Sequence, residues 1–192
     1  MTALGNQIVE SVREEFGDDI LSSDEANDQL AITTQAARPL EILTFFRDRH
    51  AYHGLVDITA TDCGELECDW EFEVIYLLRS TQPELPLLRI HIAVLGRKGP
   101  KLPTAAELWP AAQWPEREIA EMFGITFKEH PDPRKLLLPE NFEGNPLRKE
   151  YPVTGQGERE SFPTLGRKPA RPAAEPEAEG ADAAPAKDEA KS

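Results

Sequence analysis

The stretch that decides the fold is Trp70-Glu71-Phe72-Glu73-Val74-Ile75-Tyr76-Leu77-Leu78-Arg79. Its large apolar residues recur at every second position from Trp70 to Leu78, while Glu71 and Glu73 occupy positions between them. A period of two places successive side chains on opposite faces of a strand, so that one face is buried and the other meets water. The stretch therefore predicts a strand in an antiparallel sheet.

Two neighbouring stretches, 55–61 and 87–95, repeat this alternation. Short connections at 62–65 and 82–84 carry turn residues, so we predict a three-stranded antiparallel meander whose apolar face is covered by helices. Arg89 and His91 are expected on the wetter face. The residues expected to share the apolar faces are Val56, Ile58 and Ala60 in the first stretch and Leu88, Ile90, Ile92 and Val94 in the second.

The residues before the meander predict further elements of the same domain. Residues 6–16 show the apolar stripe of an amphipathic helix, which Gly17 would end. Short strands are expected at 20–21 and 29–34 around a polar turn. A second helix is expected at 39–50, with Leu40, Leu43 and Phe46 facing inward. The fold class is therefore α+β, with a mainly antiparallel sheet of about four to five strands covered by helices.

After the meander, residues 96–101 predict a loop and residues 104–112 a short helix. A compact helix follows at 114–124, with Ile119, Met122 and Phe123 on its apolar side and Gly124 at its end. Spacing of four residues predicts an ion pair between Arg117 and Glu121. Glu116, Glu118 and Glu121 could relay protons, but three carboxylates on a short helix more often form a solvated face or one that the helix dipole favours.

Residues 125–153 interrupt regular structure, because they contain Pro131, Pro133, Pro139, Pro146 and Pro152. The same segment carries large apolar and basic side chains, so we expect it to wrap over its own domain or to dock into another protein. From about residue 170 the composition of Ala, Pro, Glu and Lys predicts disorder. We therefore divide the chain into a globular α/β domain (1–124), an extended proline-rich C-terminal arm that docks to partners (125–157) and a disordered low-complexity tail (158–192).

Composition argues against several functions. The formal net charge of −14 disfavours contact with nucleic acid, and the sequence contains no apolar run long enough for a transmembrane helix or a secretory signal. Two cysteines, Cys63 and Cys68, cannot by themselves close a tetrahedral zinc site or an iron–sulfur cluster. His50 and His53 could complete a ligand set, but the short paired spacings usual in such sites are missing, which favours two ordinary thiols beside a turn. We expect no catalytic, cofactor-binding or metal-binding residue on this chain. The alternative is a small redox enzyme using both cysteines, which predicts a thiol of lowered pKa.

Four segments carry a resemblance to a known family: Trp114-Pro115-Glu116-Arg117-Glu118-Ile119-Ala120-Glu121-Met122-Phe123-Gly124-Ile125, His130-Pro131-Asp132, Arg134-Lys135-Leu136-Leu137, and Gly144-Asn145-Pro146-Leu147-Arg148-Lys149-Glu150-Tyr151-Pro152. Together they resemble the C subunit of NADH-quinone oxidoreductase, which is the thirty-kilodalton subunit of respiratory complex I. The resemblance is close over 114–152 and holds by pattern over roughly 40–113. Glu129, Pro133 and Asn145 depart from the residues common in that family, which are Gly, Leu and His.

The resemblance implies a structural subunit of a proton-translocating NADH-quinone oxidoreductase, in which partner subunits hold the flavin and the iron–sulfur clusters. The expected partners are the subunit that forms the quinone cavity and the subunit that holds the terminal cluster, on the cytoplasmic face of the cell membrane. An equivalent subunit of a complex-I-like hydrogenase or other dehydrogenase is the alternative. The residues expected to dock to partners are Glu116, Arg117, Glu118, Phe123, Gly124, His130, Pro131, Asp132, Arg134, Pro146, Leu147, Arg148 and Tyr151.

Overall fold

The computed structural model describes residues 2–66 and 68–156, so the tail predicted at 158–192 lies outside the described residues. The α-helices are α1 (Ala3–Phe16), α2 (Pro39–Arg49) and α3 (Gln113–Phe123). The strands are β1 (Ile20–Ala26), β2 (Gln29–Gln35), β3 (Gly54–Asp62), β4 (Phe72–Arg79), β5 (Leu87–Val94), β6 (Lys101–Pro103) and β7 (Thr126–Lys128). No helix in the described ranges combines the length and the apolar character needed to cross a bilayer.

A five-stranded sheet has the order β1-β2-β5-β4-β3, which confirms the predicted α+β class. The antiparallel meander of β3, β4 and β5 is present, and β1 and β2 form a hairpin. The hairpin turns at Asn27 and Asp28, which both have positive φ, as a two-residue turn between right-twisted strands requires. The sequence did not reveal that β2 and β5 run parallel to each other.

The core lies between one face of this sheet and the helices. Phe72, Val74, Tyr76 and Leu78 of β4 are at most 1% exposed, as the alternation predicted. The helices contribute Val12, Leu43, Phe46 and Ile119 to the same cluster, together with other residues. Residues 75 and 77 of β4 and residues 89 and 91 of β5 remain partly exposed on the opposite face. The helices therefore cover only one side of the sheet.

Two expectations about strands were wrong in detail. Trp70 lies in the bend before β4, which begins at Phe72. Val56 was expected on the apolar face, but the register of β3 shifts between Leu55 and Asp57 and leaves Val56 53% exposed. A bulge of this kind adds one unpaired residue to a strand and turns its side chain away from the alternating pattern.

The helix expected at 104–112 is absent. Residues 104–109 are irregular with a turn at 106–108, and only a short 3-10 helix follows at Pro110–Ala112. The side chain of Glu116 accepts hydrogen bonds from the Thr104 hydroxyl and the Ala105 N–H. These two groups are therefore bound to α3 and do not begin a helix at 104. Just before this segment, β6 pairs in parallel with β7, two three-residue strands that are too short for a periodic signal.

Candidate partner-docking surface

α3 is the element that positions the C-terminal arm. The helix ends as predicted at Gly124, which has φ +71° and donates its N–H to the Ala120 carbonyl oxygen at 3.0 Å. This left-handed conformation is accessible to glycine at little cost, and it turns the chain back across the domain. The arm then runs beside the helix that precedes it.

Glu116 is buried within α3 rather than solvated, which corrects the predicted role of its carboxylate. Glu116 is 0% exposed, and its carboxylate lies 2.5 Å from the Thr104 hydroxyl and 2.7 Å from the Ala105 N. Burial raises the pKa of Glu116, although these two hydrogen bonds and the nearby His130 oppose the shift. The carboxylate thus joins α3 to the irregular segment at Thr104 and Ala105.

His130 connects the start of the arm to α3. The Asp132 N–H donates to His130 Nδ1 at 3.0 Å, so the ring proton is on Nε2, which lies 3.0 Å from the Gln113 carbonyl oxygen. Nε2 is also 3.9 Å from Glu116 Oε2, and both side chains are nearly inaccessible to solvent. His130 therefore links backbone groups of α3 and of the arm.

Arg117 does not pair with Glu121, which was the predicted contact. Arg117 Nε and Nη2 instead donate to the carbonyl oxygens of Arg134 and Lys135, at 2.7 and 2.9 Å. Its Nη1 lies 3.4 Å from Asp132, whose carboxylate also accepts hydrogen bonds from Arg134. Hydrogen bonding by Arg134 is the main reason why the pKa of Asp132 is well below its usual range. Arg117 thus holds the arm against the outer side of α3.

Glu121, the predicted partner of Arg117, binds the backbone of the arm. Its carboxylate accepts hydrogen bonds from three consecutive N–H groups, those of Leu136, Leu137 and Leu138, at 3.0, 2.8 and 3.2 Å. Successive N–H groups that converge in this way form an anion-binding concavity. Glu121 is 6% exposed, so these bonds are largely shielded from water.

We predict that Glu121→Ala releases this part of the arm while α3 remains folded. The loss of three hydrogen bonds to a carboxylate should lower the free energy of unfolding by about 2 kcal/mol. Trypsin should then cleave faster after Arg134 and Lys135, which directly precede the released residues 136–138. Glu118→Ala is the matched control, because Glu118 is exposed on the same helix. Equal cleavage rates in the two variants would show that Glu121 does not fix the arm.

A second set of contacts fixes the arm near its far end. Asn145 Nδ2 donates to the Glu121 carbonyl oxygen at 2.8 Å, and Arg148 Nε donates to the Phe123 carbonyl oxygen at 2.6 Å. Both side chains pack against Gly124, where a Cβ atom would lie 2.6 Å from Asn145 Oδ1 and 2.7 Å from Arg148 Nη2. Two separate features therefore require glycine at position 124: the positive φ of its backbone and the close approach of the arm.

Asp62 holds the arm to the sheet, and the sequence did not identify it as part of the site. Its side chain is 1% exposed and accepts a two-pronged hydrogen bond from Arg97, at 2.9 and 2.8 Å. The N–H groups of Gly64 and Lys149 also donate to it, each at 2.9 Å. Burial opposes ionisation, but the hydrogen bonds outweigh burial and lower the pKa of Asp62. The four donors join β3, the loop after β5 and the arm.

Aromatic and basic side chains complete the inner side of the arm. Phe142 is 8% exposed and stacks on Tyr151 with ring centroids 6.2 Å apart. The Lys135 ammonium group donates to the Phe142 carbonyl oxygen at 2.6 Å. The guanidinium groups of Arg97 and Arg148 lie 5.4 and 5.1 Å from the centroid of the Phe72 ring. Between residues 125 and 156 the arm is therefore packed on its own domain.

The outer side of the arm presents apolar side chains to solvent. Leu137 is 60% exposed and Leu147 is 53% exposed, although the backbone N–H of each is bound, to Glu121 and to the Met122 carbonyl oxygen. Trp114 on α3 is 61% exposed. Large apolar residues on a fixed backbone are typical of protein interfaces. We use the term outer arm surface for Trp114, Leu137 and Leu147.

The predicted docking residues separate into two groups in the structure. Glu116, Phe123, Gly124 and Arg148 face the domain and position the arm, and Tyr151 stacks on Phe142 within the arm. Glu118, Pro131 and Leu147 are exposed, and the Arg134 side chain is 81% exposed. Asp62, Arg97 and Asn145 were missed, because their partners lie too far away in sequence for local spacing to reveal them. Arg117 and His130 also bind the arm to α3, through side chains that are 12% and 3% exposed, whereas Asp132 and Pro146 are partly exposed.

The cysteines do not have the property that the redox alternative requires. Burial is the largest of the causes that raise the pKa of Cys63 to about 12, with further contributions from Cys68 and Glu73. An activated thiol needs a lowered pKa. The expectation of a lowered pKa is therefore wrong for Cys63, and the redox alternative loses its support at that residue.

Comparison with known proteins gives the family. Residues 32–157 match the family described as the respiratory-chain NADH dehydrogenase 30 Kd subunit. This chain belongs to that family. The NADH-quinone oxidoreductase C subunit of Citrifermentans bemidjiense is 36% identical over 153 residues, which cover 80% of this chain and 92% of the relative. The corresponding protein of Phenylobacterium zucineum is 36% identical over 155 residues, which cover 81% and 70% of the two chains.

Two solved structures share the fold of this family member. A trypsin-resistant fragment (1-134) of Nqo5 has a TM-score of 0.57 at 23% identity, and the match covers 66% of this chain and 97% of the fragment. A chain of a membrane-bound sulfane sulfur reductase, an archaeal respiratory membrane complex, has a TM-score of 0.64 at 17% identity, and the match covers 86% and 96%. At these identities the comparison shows the fold alone.

Proposed function

We propose that this chain is a structural subunit, without a cofactor of its own, of the hydrophilic part of a proton-translocating NADH-quinone oxidoreductase. In this function it supports electron transfer from NADH to quinone, while other subunits hold the flavin and the iron–sulfur clusters. Its proposed neighbours are the quinone-cavity subunit and the terminal-cluster subunit, at the cytoplasmic face of the membrane. Relatives of 34–38% identity that bear the name of the NADH-quinone oxidoreductase C subunit support this proposal.

The observation that carries the docking role is the contrast between the two sides of the C-terminal arm. Its inner side is bound by Glu121, Asp62 and Arg117, so its irregular backbone is held in one conformation. Its outer side exposes Leu137 and Leu147. A preorganised apolar surface loses little conformational entropy on binding, which favours a permanent contact with another subunit. The intramolecular packing therefore prepares the arm for docking.

The second candidate is the equivalent subunit of a complex-I-like membrane complex with a different electron donor or acceptor. The fold shared with the sulfane sulfur reductase chain, at a TM-score of 0.64, favours keeping this alternative. Purification of the assembled complex and assay of NADH oxidation with a quinone acceptor would separate the two. NADH-dependent quinone reduction supports the first proposal. Electron transfer that uses a donor other than NADH, or an acceptor other than quinone, supports the second.

We predict that the double variant Leu137→Asp, Leu147→Asp abolishes assembly without unfolding the chain. Two charges placed on an apolar contact should weaken binding by about 4 kcal/mol or more, because each buried charge lacks a partner. The measurement is the amount of tagged full-length chain that co-purifies with the flavin- and cluster-bearing subunits from membranes. Thermal unfolding of the isolated variant should match that of the wild type, since both side chains are exposed.

Val56→Asp is the matched control for this prediction. Val56 is 53% exposed, as is Leu147, but lies near the start of the edge strand β3, whereas β3 meets the arm at Asp62, at its other end. This variant should assemble normally. If the double variant also assembled normally, the outer arm surface would not be a docking surface, and the proposed role of the arm would be wrong.

A further inference from the structure

The five-stranded sheet has a second face that the helices do not cover. In the register of the sheet, Arg89 lies between Ala31 and Leu77, and His91 lies between Thr33 and Ile75. All six residues are partly exposed, whereas their sequence neighbours on β4 and β5 are fully buried on the helix side. We call the surface formed by Ala31, Thr33, Ile75, Leu77, Arg89 and His91 the open face.

Unpaired nitrogen atoms are concentrated on this surface. Within residues 2–66 and 68–156, three buried side-chain polar atoms have no hydrogen-bond partner: Trp70 Nε1, Arg89 Nε and His91 Nε2. Two of the three belong to the open face. The other ring nitrogen of His91, Nδ1, lies 3.1 Å from the Glu73 carboxylate, so only Nε2 is unused. A buried polar group without a partner is unfavourable, and its presence in a native fold requires a reason.

Arg89 also lacks an opposite charge, since it forms no ion pair within the part of the chain that the structure describes. Asp24 and Asp57 occupy the same row of the sheet, but each is two strands away from Arg89. A guanidinium group presents a planar fork that matches a carboxylate, and arginine is frequent at the energetic centres of interfaces. Arg89 Nε is itself inaccessible to solvent, so a carboxylate outside the domain would pair with the two terminal nitrogen atoms of the guanidinium group, which form no ion pair within the described residues.

The shape of the open face is suited to an incoming segment. On one side of Arg89 and His91, β2 supplies only the short side chains of Ala31 and Thr33. On the other side, β4 supplies the larger Leu77 and Ile75. The side chains on the β2 side of Arg89 and His91 are therefore shorter than those on the β4 side. A segment lying over β2 would bring its polar groups next to the Arg89 guanidinium group.

We infer that the open face is a second docking surface, on which another subunit places a carboxylate against Arg89. The inference rests on the proposed function in assuming that the chain works within an assembly, but it concerns a different surface. The contacts that anchor the C-terminal arm involve α3, which lies on the helix side of the sheet. They also involve Asp62 at the end of β3 and Phe72 at the start of β4. The chemistry of the partner follows from local charge complementarity, because Arg89 is a cation that forms no ion pair within the described residues.

The decisive variant is Arg89→Gln in the full-length chain, within the complex purified from membranes. Glutamine retains much of the stem that covers the sheet but removes the charge and the two-pronged geometry. We expect dissociation of the tagged chain from the complex to become about tenfold faster. Arg79→Gln is the matched control, because Arg79 is exposed at the end of the neighbouring strand β4 and forms no ion pair among the described residues. Its dissociation rate should be that of the wild type.

A photo-activated cross-linker at Thr33 identifies what covers the open face. The inference expects a cross-link to an acidic segment of a different subunit. A cross-link to a second copy, to residues 157–192 of the same chain, or to no polypeptide would overturn it. Equal dissociation rates for Arg89→Gln and Arg79→Gln would also overturn it, even if the outer arm variants fail to assemble as proposed. A wild-type chain that joins no complex would overturn the proposed function and this inference together.

Discussion

Asp62→Ala should destabilise the chain by about 3 kcal/mol, because it leaves the Arg97 guanidinium group and the N–H groups of Gly64 and Lys149 without their acceptor. Asp62 is nearly inaccessible to water, so solvent cannot readily replace these four hydrogen bonds. Chemical denaturation at pH 7 measures the loss. Because the Lys149 N–H is one of the donors, trypsin should also cleave faster after Arg148 and Lys149.

Two further variants separate the charge of Asp62 from its shape. Asp62→Asn keeps one acceptor and should cost about half as much, whereas Asp69→Ala, at an exposed loop position, should change stability by less than about 0.5 kcal/mol. The pKa of Asp62 is lowered in the folded state, so its contribution is complete above the unfolded value near 3.9 and is lost as the pH falls through the folded pKa. The difference in the free energy of unfolding between wild type and Asp62→Asn should therefore decrease below about pH 4. A loss no greater than that of Asp69→Ala would refute the role assigned to Asp62.

The elements predicted well from sequence are those whose signal is local. β4 and β5 alternate strictly, and their inward residues are nearly inaccessible to solvent, because burial of one face selects that pattern directly. α3 was predicted from its apolar positions and from Gly124, whose positive φ the structure confirms. In each case a few neighbouring residues determine the outcome.

The features that sequence could not supply depend on distant pairing. The parallel contact between β2 and β5 joins strands that are separated along the chain by α2, β3 and β4, and no local pattern records it. Alternation along β3 places Asp62 on the apolar face, yet an Asp before Cys63 and Gly64 predicts a turn. Only the fold brings Arg97 within 2.8 Å of it.

The error at Glu121 shows the same limit within a predicted element. The helix was predicted correctly, and Arg117 lies four residues before Glu121, so a surface ion pair was the natural expectation. Such pairs contribute only about 0.3–0.5 kcal/mol. Three backbone N–H groups found 15 to 17 residues later offer stronger, shielded hydrogen bonds to the same carboxylate. The weaker local contact is therefore displaced, and Arg117 binds the carbonyl oxygens of the arm instead.

Glu116→Ala is the second variant expected to have a large effect, at about 3–4 kcal/mol. It would leave the Ala105 N–H and the Thr104 hydroxyl without their acceptor and would open a cavity where the side chain is 0% exposed. Glu116→Gln keeps the volume and one acceptor, so it should cost about 1 kcal/mol. Glu118→Ala, on the exposed side of the same helix, is the control and should be nearly neutral.

The pH dependence of Glu116→Gln should have the opposite sign to that of Asp62→Asn. Because burial raises the folded pKa of Glu116, its contribution to stability is fully present below the unfolded value near 4.3 and is lost as the pH rises through the folded pKa. The free energy by which the wild type is more stable than Glu116→Gln should therefore decrease as the pH rises. The free energy by which it is more stable than Asp62→Asn should decrease as the pH falls. Denaturation curves from pH 3 to pH 8 test both signs. The opposite result would be a difference in the free energy of unfolding between wild type and Glu116→Gln that increases with rising pH. It would mean that the fold stabilises the charged carboxylate and that burial does not control the titration of Glu116.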